Sequence, residues 1–307
     1  MPSEPERPLN TERRSIELPD GRKLDVLTAG PSDGLPLVLH EGTPVGLVLY
    51  PPTVRAAEAY GLRVVLAARP GYEGSTPRPG RWVADVAADT AAVLDELGAD
   101  TFLTVGWSGG GPHALACAAV LPGRCLAAAS IAGVAPYRAN GLNWLAGMGQ
   151  ENVDEFGAAV QGEAALTAFL DSAAAAVGTV TGADVAQALG GLVIAADQAV
   201  LTGEFADHVA ASLRAGVSTG IAGWRDDDLA FTTDWGFSFD GETPAAPVAI
   251  WQGDQDKMVP FAHGQWLAAN IPGAHAHLLP GEGHLSLTVS SLDRILGDLL
   301  DLAGLKP

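Results

Sequence analysis

The chain has 307 residues, is 48% hydrophobic and 17% charged, and carries a formal net charge of −19. This allows one large α/β domain with an insertion, or two ordinary domains, and excludes global disorder. The acidity excludes nucleic acid, whose phosphates call for clustered Lys and Arg, and argues against an anionic membrane surface.

Residues 1–12 are polar with three prolines and predict a loose tail. There is no apolar h-region and no run of about 18 apolar residues, so neither a secretory signal nor a spanning helix is expected. Cys117 and Cys125 give no disulfide framework and no zinc ligand set. The expectation is a reduced, cytoplasmic protein, monomer or homodimer.

RRSIELPDGRKLDVLTAG alternates apolar and polar residues on both sides of Pro19-Asp20-Gly21 and predicts a hairpin. LPLVLH (35–40) and LRVVLAA (62–68) are continuous apolar runs that fit buried strands. The first ends in EGTP, the second in a Gly/Pro-rich loop, RPGYEGSTPRPGR. VADVAADTAAVLDELG (83–98) has helical spacing and a terminal Gly98. TFLTVG (101–106) predicts a strand, GPHALACAAVLPGR (111–124) a helix and CLAAASIAG (125–133) a strand. This alternation implies an α/β fold with a mostly parallel sheet covered by helices.

The rhythm stops at residue 137. Up to 243 the chain holds Ala-rich helical segments, Gly breaks and aromatics that include Trp144 and Trp224, which predict an inserted helical cap. Strand signal resumes at APVAIWQG (246–253), followed by a helix around HGQWLAANI, a strand in AHAHLLP and a last helix over 286–302. The expected division is thus a core of 13–136 and 244–307 with a cap of 137–243.

Gly-x-Ser-x-Gly occurs twice, around Ser108 in VGWSGGGPHA and around Ser218 in AGVSTG. With 38 Gly in the chain, about 0.2 accidental copies are expected, so context must decide. Ser108 follows a strand and opens a helix, the setting that lifts a serine hydroxyl above a sheet edge on a strained turn. Ser218 follows a helical pattern inside the insertion and reads as a loop.

A serine hydroxyl needs a base within reach, and that base needs a buried acid to hold its tautomer. In a sheet of this kind both should lie past strand C-termini. Asp254-Gln255-Asp256 follows APVAIWQG, and Gly283-His284 follows the next strand. His113, His208, His263, His275 and His277 are weaker bases. His275 and His277 alternate along a strand, with one ring expected to point inward.

In this order and context the residues resemble the α/β-hydrolase family, in its branch with a helical cap inserted after the sixth core strand; the likeness spans about 15–305. Family members have a strand ending in Gly, two residues, Asp, and shortly Val-Pro. WQGDQDKMVP matches with Asp256 as the acid, Asp254 being the alternative, and the family's late Gly-His matches Gly283-His284. RPGYEGSTPRPG and GWSGGGPHALA are similar to esterase-like and proline-iminopeptidase-like members.

The resemblance implies a catalytic set of Ser108, Asp256 and His284. The oxyanion hole would use the amide after the nucleophile, Gly109, and one from the early loop. Many relatives read His-His-Gly-Thr-Pro there. This chain has His40-Glu41-Gly42-Thr43-Pro44, which makes Thr43 the second donor, requires Gly42 for close approach and replaces a histidine by Glu41. Trp107, Trp144 and Trp224 are candidate substrate contacts for an apolar group. No metal set, P-loop or dinucleotide fingerprint occurs, so no metal or cofactor is expected.

The expected activity is hydrolysis of a small-molecule carboxylic ester or lactone through an acyl-enzyme. Alternatives are an aminopeptidase or amidase, for which Glu151, Asp154, Glu155 and Asp226-Asp227-Asp228 would offer carboxylates to an amine, a non-catalytic binder, and a lyase or C–C cleavage enzyme. As a simpler account, those carboxylates form a solvated face.

Overall fold

The computed structural model describes residues 9–239 and 245–305. Most of the expected tail therefore lies outside the described residues, and its last two, Thr11 and Glu12, already belong to the first strand. Among the described residues eight strands form one sheet: β1 (Thr11–Glu17), β2 (Lys23–Ala29), β3 (Leu35–His40), β4 (Leu62–Ala67), β5 (Phe102–Trp107), β6 (Cys125–Ile131), β7 (Val248–Gly253) and β8 (His275–Leu279). Their order is β1-β2-β4-β3-β5-β6-β7-β8. β1 and β2 pair antiparallel as the hairpin, β2 pairs antiparallel with β4, and all remaining pairings are parallel.

The helices are α1 (Pro51–Ala59), α2 (Val86–Glu96), α3 (Gly111–Val120), α4 (Gln150–Gln161), α5 (Glu163–Val177), α6 (Val185–Ala188), α7 (Ala195–Val200), α8 (Gly203–Gly216), α9 (Ala222–Phe231), α10 (Phe261–Asn270) and α11 (Ser286–Leu302). α4 to α9 all fall between β6 and β7. Two boundaries differ from the sequence pattern for local reasons. The 83–98 helix opens as a 3₁₀ turn, Val83–Asp85, in which Asp85 accepts the Trp82 N–H at 2.8 Å. α3 stops at Val120, because Pro122 disfavours helical backbone at Leu121.

The central strands read as unbroken apolar runs because both faces are covered. Leu37 and Leu39 of β3 pack with α1 and α11, while Val38 between them packs with α2 and α3. Ala127 and Ala129 of β6 likewise face one layer and Ala128 the other. Cys117 and Cys125 are free and buried in this core, and burial pushes the Cys117 thiol up to about 12, which makes it inert. No helix among the described residues is long and apolar enough to cross a membrane.

The parallel strands end together. His40 pairs with Gly106, Trp107 with Ile131, Ile131 with Trp251 and Gly253 with Leu279. The loops after β3, β5, β7 and β8 therefore emerge along one rim.

Candidate active site

Ser108 sits on that rim with φ +55°, a left-handed conformation that an L-residue adopts only when its surroundings compel it. The compulsion is close packing: a Cβ on Gly106 would strike the Gly110 carbonyl, and one on Gly110 would strike the His40 carbonyl. The turn Ser108–Gly110 runs straight into α3, so the N-terminal amides of that helix lie beneath the hydroxyl.

Asp256 and His284 meet on the same rim. His284 Nδ1 lies 2.8 Å from Asp256 Oδ2, and both side chains are fully buried. Asp256 accepts three more hydrogen bonds, from the Met258 and Val259 amides on Oδ1, each at 2.8 Å, and from Gln252 Nε2 on Oδ2 at 3.1 Å. A carboxylate so held is an acceptor, which puts the imidazole proton on Nδ1 and leaves Nε2 with a lone pair. Nε2 is buried without a hydrogen-bond partner among the described residues, so its bond to Ser108 is not formed in this structure. Ser108 and His284 nonetheless line one cavity of about 540 Å³, and the Trp107 ring beside Ser108 lies 5.2 Å from the His284 ring. Asp254 instead accepts the Gly281 N–H at 2.8 Å in an exposed turn.

The loop after β3 approaches from the other side. A Cβ on Gly42 would come within 3.3 Å of Ser108 Cβ, and one on Gly109 within 2.7 Å of Thr43 Oγ1. Gly42, Thr43 and Gly109 are thus brought together around Ser108. Glu41 lines the cavity, and burial pushes its carboxyl up to about 7 although Arg69 pulls it down. Burial likewise lowers His40 to about 3, so that ring is neutral.

A cluster that sequence reasoning missed fixes this loop. Arg69 Nη1 and Nη2 donate to the Glu41 and Gly42 carbonyls at 2.7 and 2.9 Å. Asp227 of α9 binds Arg69 at 2.6 Å and Arg81 at 2.7 Å and accepts from Tyr72 OH at 2.8 Å and Thr43 Oγ1 at 2.7 Å. Burial alone would raise this carboxyl, but the two guanidinium groups outweigh it and hold Asp227 well below the usual carboxylate range. Asp226, Asp227 and Asp228 are all buried, which corrects their reading as a solvated face. Burial, then the neighbouring carboxylate of Glu155, raises Asp228 well above the usual range and keeps it neutral. Burial raises Glu155 too, and the Trp224 indole donates to it at 2.6 Å.

Asp197 of α7 does for the His284 loop what Asp227 does for the β3 loop. It is fully buried, and its Oδ1 accepts the Leu285 and Ser286 amides at 2.8 and 2.9 Å. These amides belong to the start of α11, whose first N–H groups lack intrahelical partners.

The cavity wall is mainly apolar, with Phe169 and Val177 of α5, Leu213 of α8 and Ile295 and Leu296 of α11 among its lining residues. Gly42, Trp107 and Trp224 line it. Trp144 does not: its indole donates to the Ala135 carbonyl at 2.6 Å and packs edge-on to Phe156, which makes it core. Ser218 only donates to the Ala215 carbonyl, at 2.7 Å in an exposed turn. His275 and His277, two residues apart, share one strand face and both contact Asp298; the His275 ring is largely exposed, while the His277 ring is mostly buried against Trp251.

The sequence model for the alpha/beta hydrolase fold matches residues 36–290. A non-heme chloroperoxidase from Streptomyces lividans is 31% identical over 148 residues, 48% of this chain and 54% of that protein. The chain thus matches about half the length of this curated relative. Among solved structures, a carboxylesterase from Bacillus subtilis is similar with a TM-score of 0.66 at 19% identity, over 96% of this chain and 93% of its own. An epoxide hydrolase A from Mycobacterium thermoresistibile also gives 0.66, at 20% identity, over 95% and 98%. At these identities the likeness to both structures is one of fold alone.

Proposed function

The chain belongs to the alpha/beta hydrolase fold family, and from that premise we propose that it is a serine hydrolase that cleaves small-molecule carboxylic esters or lactones through an acyl-enzyme. The observation that carries the reading is the His284–Asp256 pair, with Nε2 unpartnered in the cavity that Ser108 also lines. A carboxylate at position 108 would suit epoxide opening; a serine suits acyl transfer.

In the proposed reaction the substrate carbonyl lies over Ser108. His284 Nε2 takes the Ser108 proton as Oγ attacks the carbonyl carbon, and the amides of Gly109 and Thr43 hold the oxyanion. Collapse expels the alcohol, which leaves with the proton from His284. Water, deprotonated by the same nitrogen, then attacks the acyl-enzyme and releases the acid and Ser108. Asp256 orients the ring and supports the imidazolium without itself taking the proton. Binding of substrate would draw Ser108 and His284 into hydrogen-bond range, as free enzymes often hold such pairs loosely.

Residues 137–243 act as a cap in this reading. The apolar wall favours an apolar acyl or alcohol group. Ser212 Oγ, His208 Nδ1 and Thr288 Oγ1, buried atoms of cavity-lining residues without hydrogen-bond partners among the described residues, favour a substrate that also carries a polar group. Glu151, Asp154 and Glu155 also line the cavity, which favours a second reading, an aminopeptidase that binds a substrate amine.

A fluorophosphonate probe followed by peptide mapping should label Ser108 in the wild type and fail in Ser108→Ala and His284→Ala. Turnover of p-nitrophenyl esters without turnover of aminoacyl anilides supports the esterase, and the reverse supports the peptidase. A folded wild-type protein that takes no label sinks both.

A further inference from the structure

His275, His277 and Asp298 form a second cluster, away from the rim, where β8 begins and α11 nears its end. His275 Nδ1 lies 2.7 Å from Asp298 Oδ1 and His277 Nε2 lies 2.8 Å from Asp298 Oδ2. One ligand atom from each residue falls within 4.8 Å of the other two. The side chains keep 53%, 20% and 11% of their exposure, so the cluster opens to solvent on the His275 side.

We propose that these three side chains bind one divalent transition-metal ion of the zinc class and that the ion clamps β8 to α11. Two imidazoles and one carboxylate suit zinc, which takes nitrogen at about 2.0–2.1 Å and carboxylate oxygen at about 2.0–2.2 Å. Each imidazole already stands at hydrogen-bonding distance from one oxygen of Asp298, and the three ligand atoms lie within 4.8 Å of one another, so an ion between them needs only local side-chain shifts. Three protein ligands leave a fourth position for water on the open side. Imidazole selects zinc, copper or nickel over magnesium or calcium.

The scaffold holds the ligands ready. His275 and His277 share a face because a strand alternates with period two. The His277 ring is stacked on Trp251 of β7, with centroids 3.7 Å apart and an angle of 14°. Asp298 is nearly buried on a helix whose other face packs into the core. β8 is the last strand of the sheet, with one neighbour, so a clamp to α11 secures an otherwise open edge. Residues 280–285, which include His284, connect β8 to α11. The ion would brace both arms of that connection from their far ends.

The test is titration of tag-free, chelator-stripped protein with ZnCl2 by calorimetry and by thermal melting. The proposal expects saturable binding of one equivalent with a rise in Tm. His275→Ala and Asp298→Asn should each weaken binding by more than about tenfold, since loss of even an outer-shell partner costs about 10–100-fold, and lose the Tm increment. Circular dichroism of the two variants without zinc should match the wild type, which separates loss of the site from loss of the fold. Wild-type protein that takes up no zinc overturns the proposal, as do variants that bind it as tightly as wild type. None of these readouts uses ester hydrolysis, so the result is independent of the proposed activity.

Discussion

Asp227 Oδ2 lies 2.7 Å from Thr43 Oγ1, across 184 residues of chain. One carboxylate thus joins α9 to the loop expected to hold an oxyanion, and Arg69 fastens the same loop through two of its carbonyls.

Thr43→Val keeps the backbone amide but removes a donor to a buried charge. Such a bond contributes about 1.5–3 kcal/mol, and urea denaturation should show that loss. Asp227→Ala leaves Arg69 and Arg81 buried without their counter-charge, and should cost about 3–5 kcal/mol. A midpoint for Asp227→Ala close to the wild type would show that the cluster adds nothing net.

Ser108→Ala and His284→Ala should each lower kcat for an ester by about 10⁶, because they remove one functional unit. Asp256→Asn should cost about 10⁴, since an amide can hold the imidazole in the wrong tautomer. Rates should be read against intact folds by circular dichroism. An Asp256→Asn variant at wild-type speed would break the assignment.

Glu41 should shape the pH profile. Its folded pKa, about 7, exceeds the ordinary 4.5. The folded state therefore prefers the protonated form, and the stability this contributes is complete below 4.5 and disappears as pH rises through 7. Above 7 a carboxylate stands in the loop that must accept a developing oxyanion, so wild-type kcat/KM should fall relative to Glu41→Gln. Identical profiles for the two proteins from pH 6 to 9 would count against this role.

Asp228→Asn exchanges a neutral acid for a neutral amide of the same shape. The change should alter stability by less than about 1 kcal/mol at neutral pH, in the range of benign substitutions. Because burial and Glu155 raise the Asp228 pKa, wild-type stability declines as pH rises above the usual carboxylate range, and the variant should decline less. Parallel pH–stability curves would refute a neutral, buried Asp228.

Most of the frame is legible in the sequence because its signals are local. The Pro19-Asp20-Gly21 turn, the apolar runs of β3 and β4 and the amphipathic span Ser286–Leu302 each carry their own pattern, and Ser108 stands in a strand-to-helix turn. His284 could be placed because it follows a strand whose C-terminus lies on the rim; Asp254 and Asp256 both follow β7, and the family likeness favours Asp256.

Asp227 gave no such sign. Three consecutive aspartates read as a solvated face, and the two arginines that neutralise the central one lie about 150 residues away in a Gly/Pro-rich loop. The available clue was that loop itself: Arg69 opens and Arg81 closes RPGYEGSTPRPGR in a chain only 17% charged. Trp144 misled for the opposite reason. Aromatic identity does not distinguish a cavity wall from core, and its indole found a backbone carbonyl instead.

The clasps made by Asp197 and Asp227 bear on how specificity can diverge in this scaffold. Recombination that grafts the α4–α9 region of a related protein onto this sheet would import a new pocket lining yet sever both clasps, unless acidic residues arrive in register with Leu285 and Arg69. A chimera of that kind should crystallise or express as a folded sheet and still turn over poorly. Restoring the two carboxylates, rather than redesigning the lining, is the change that should rescue it.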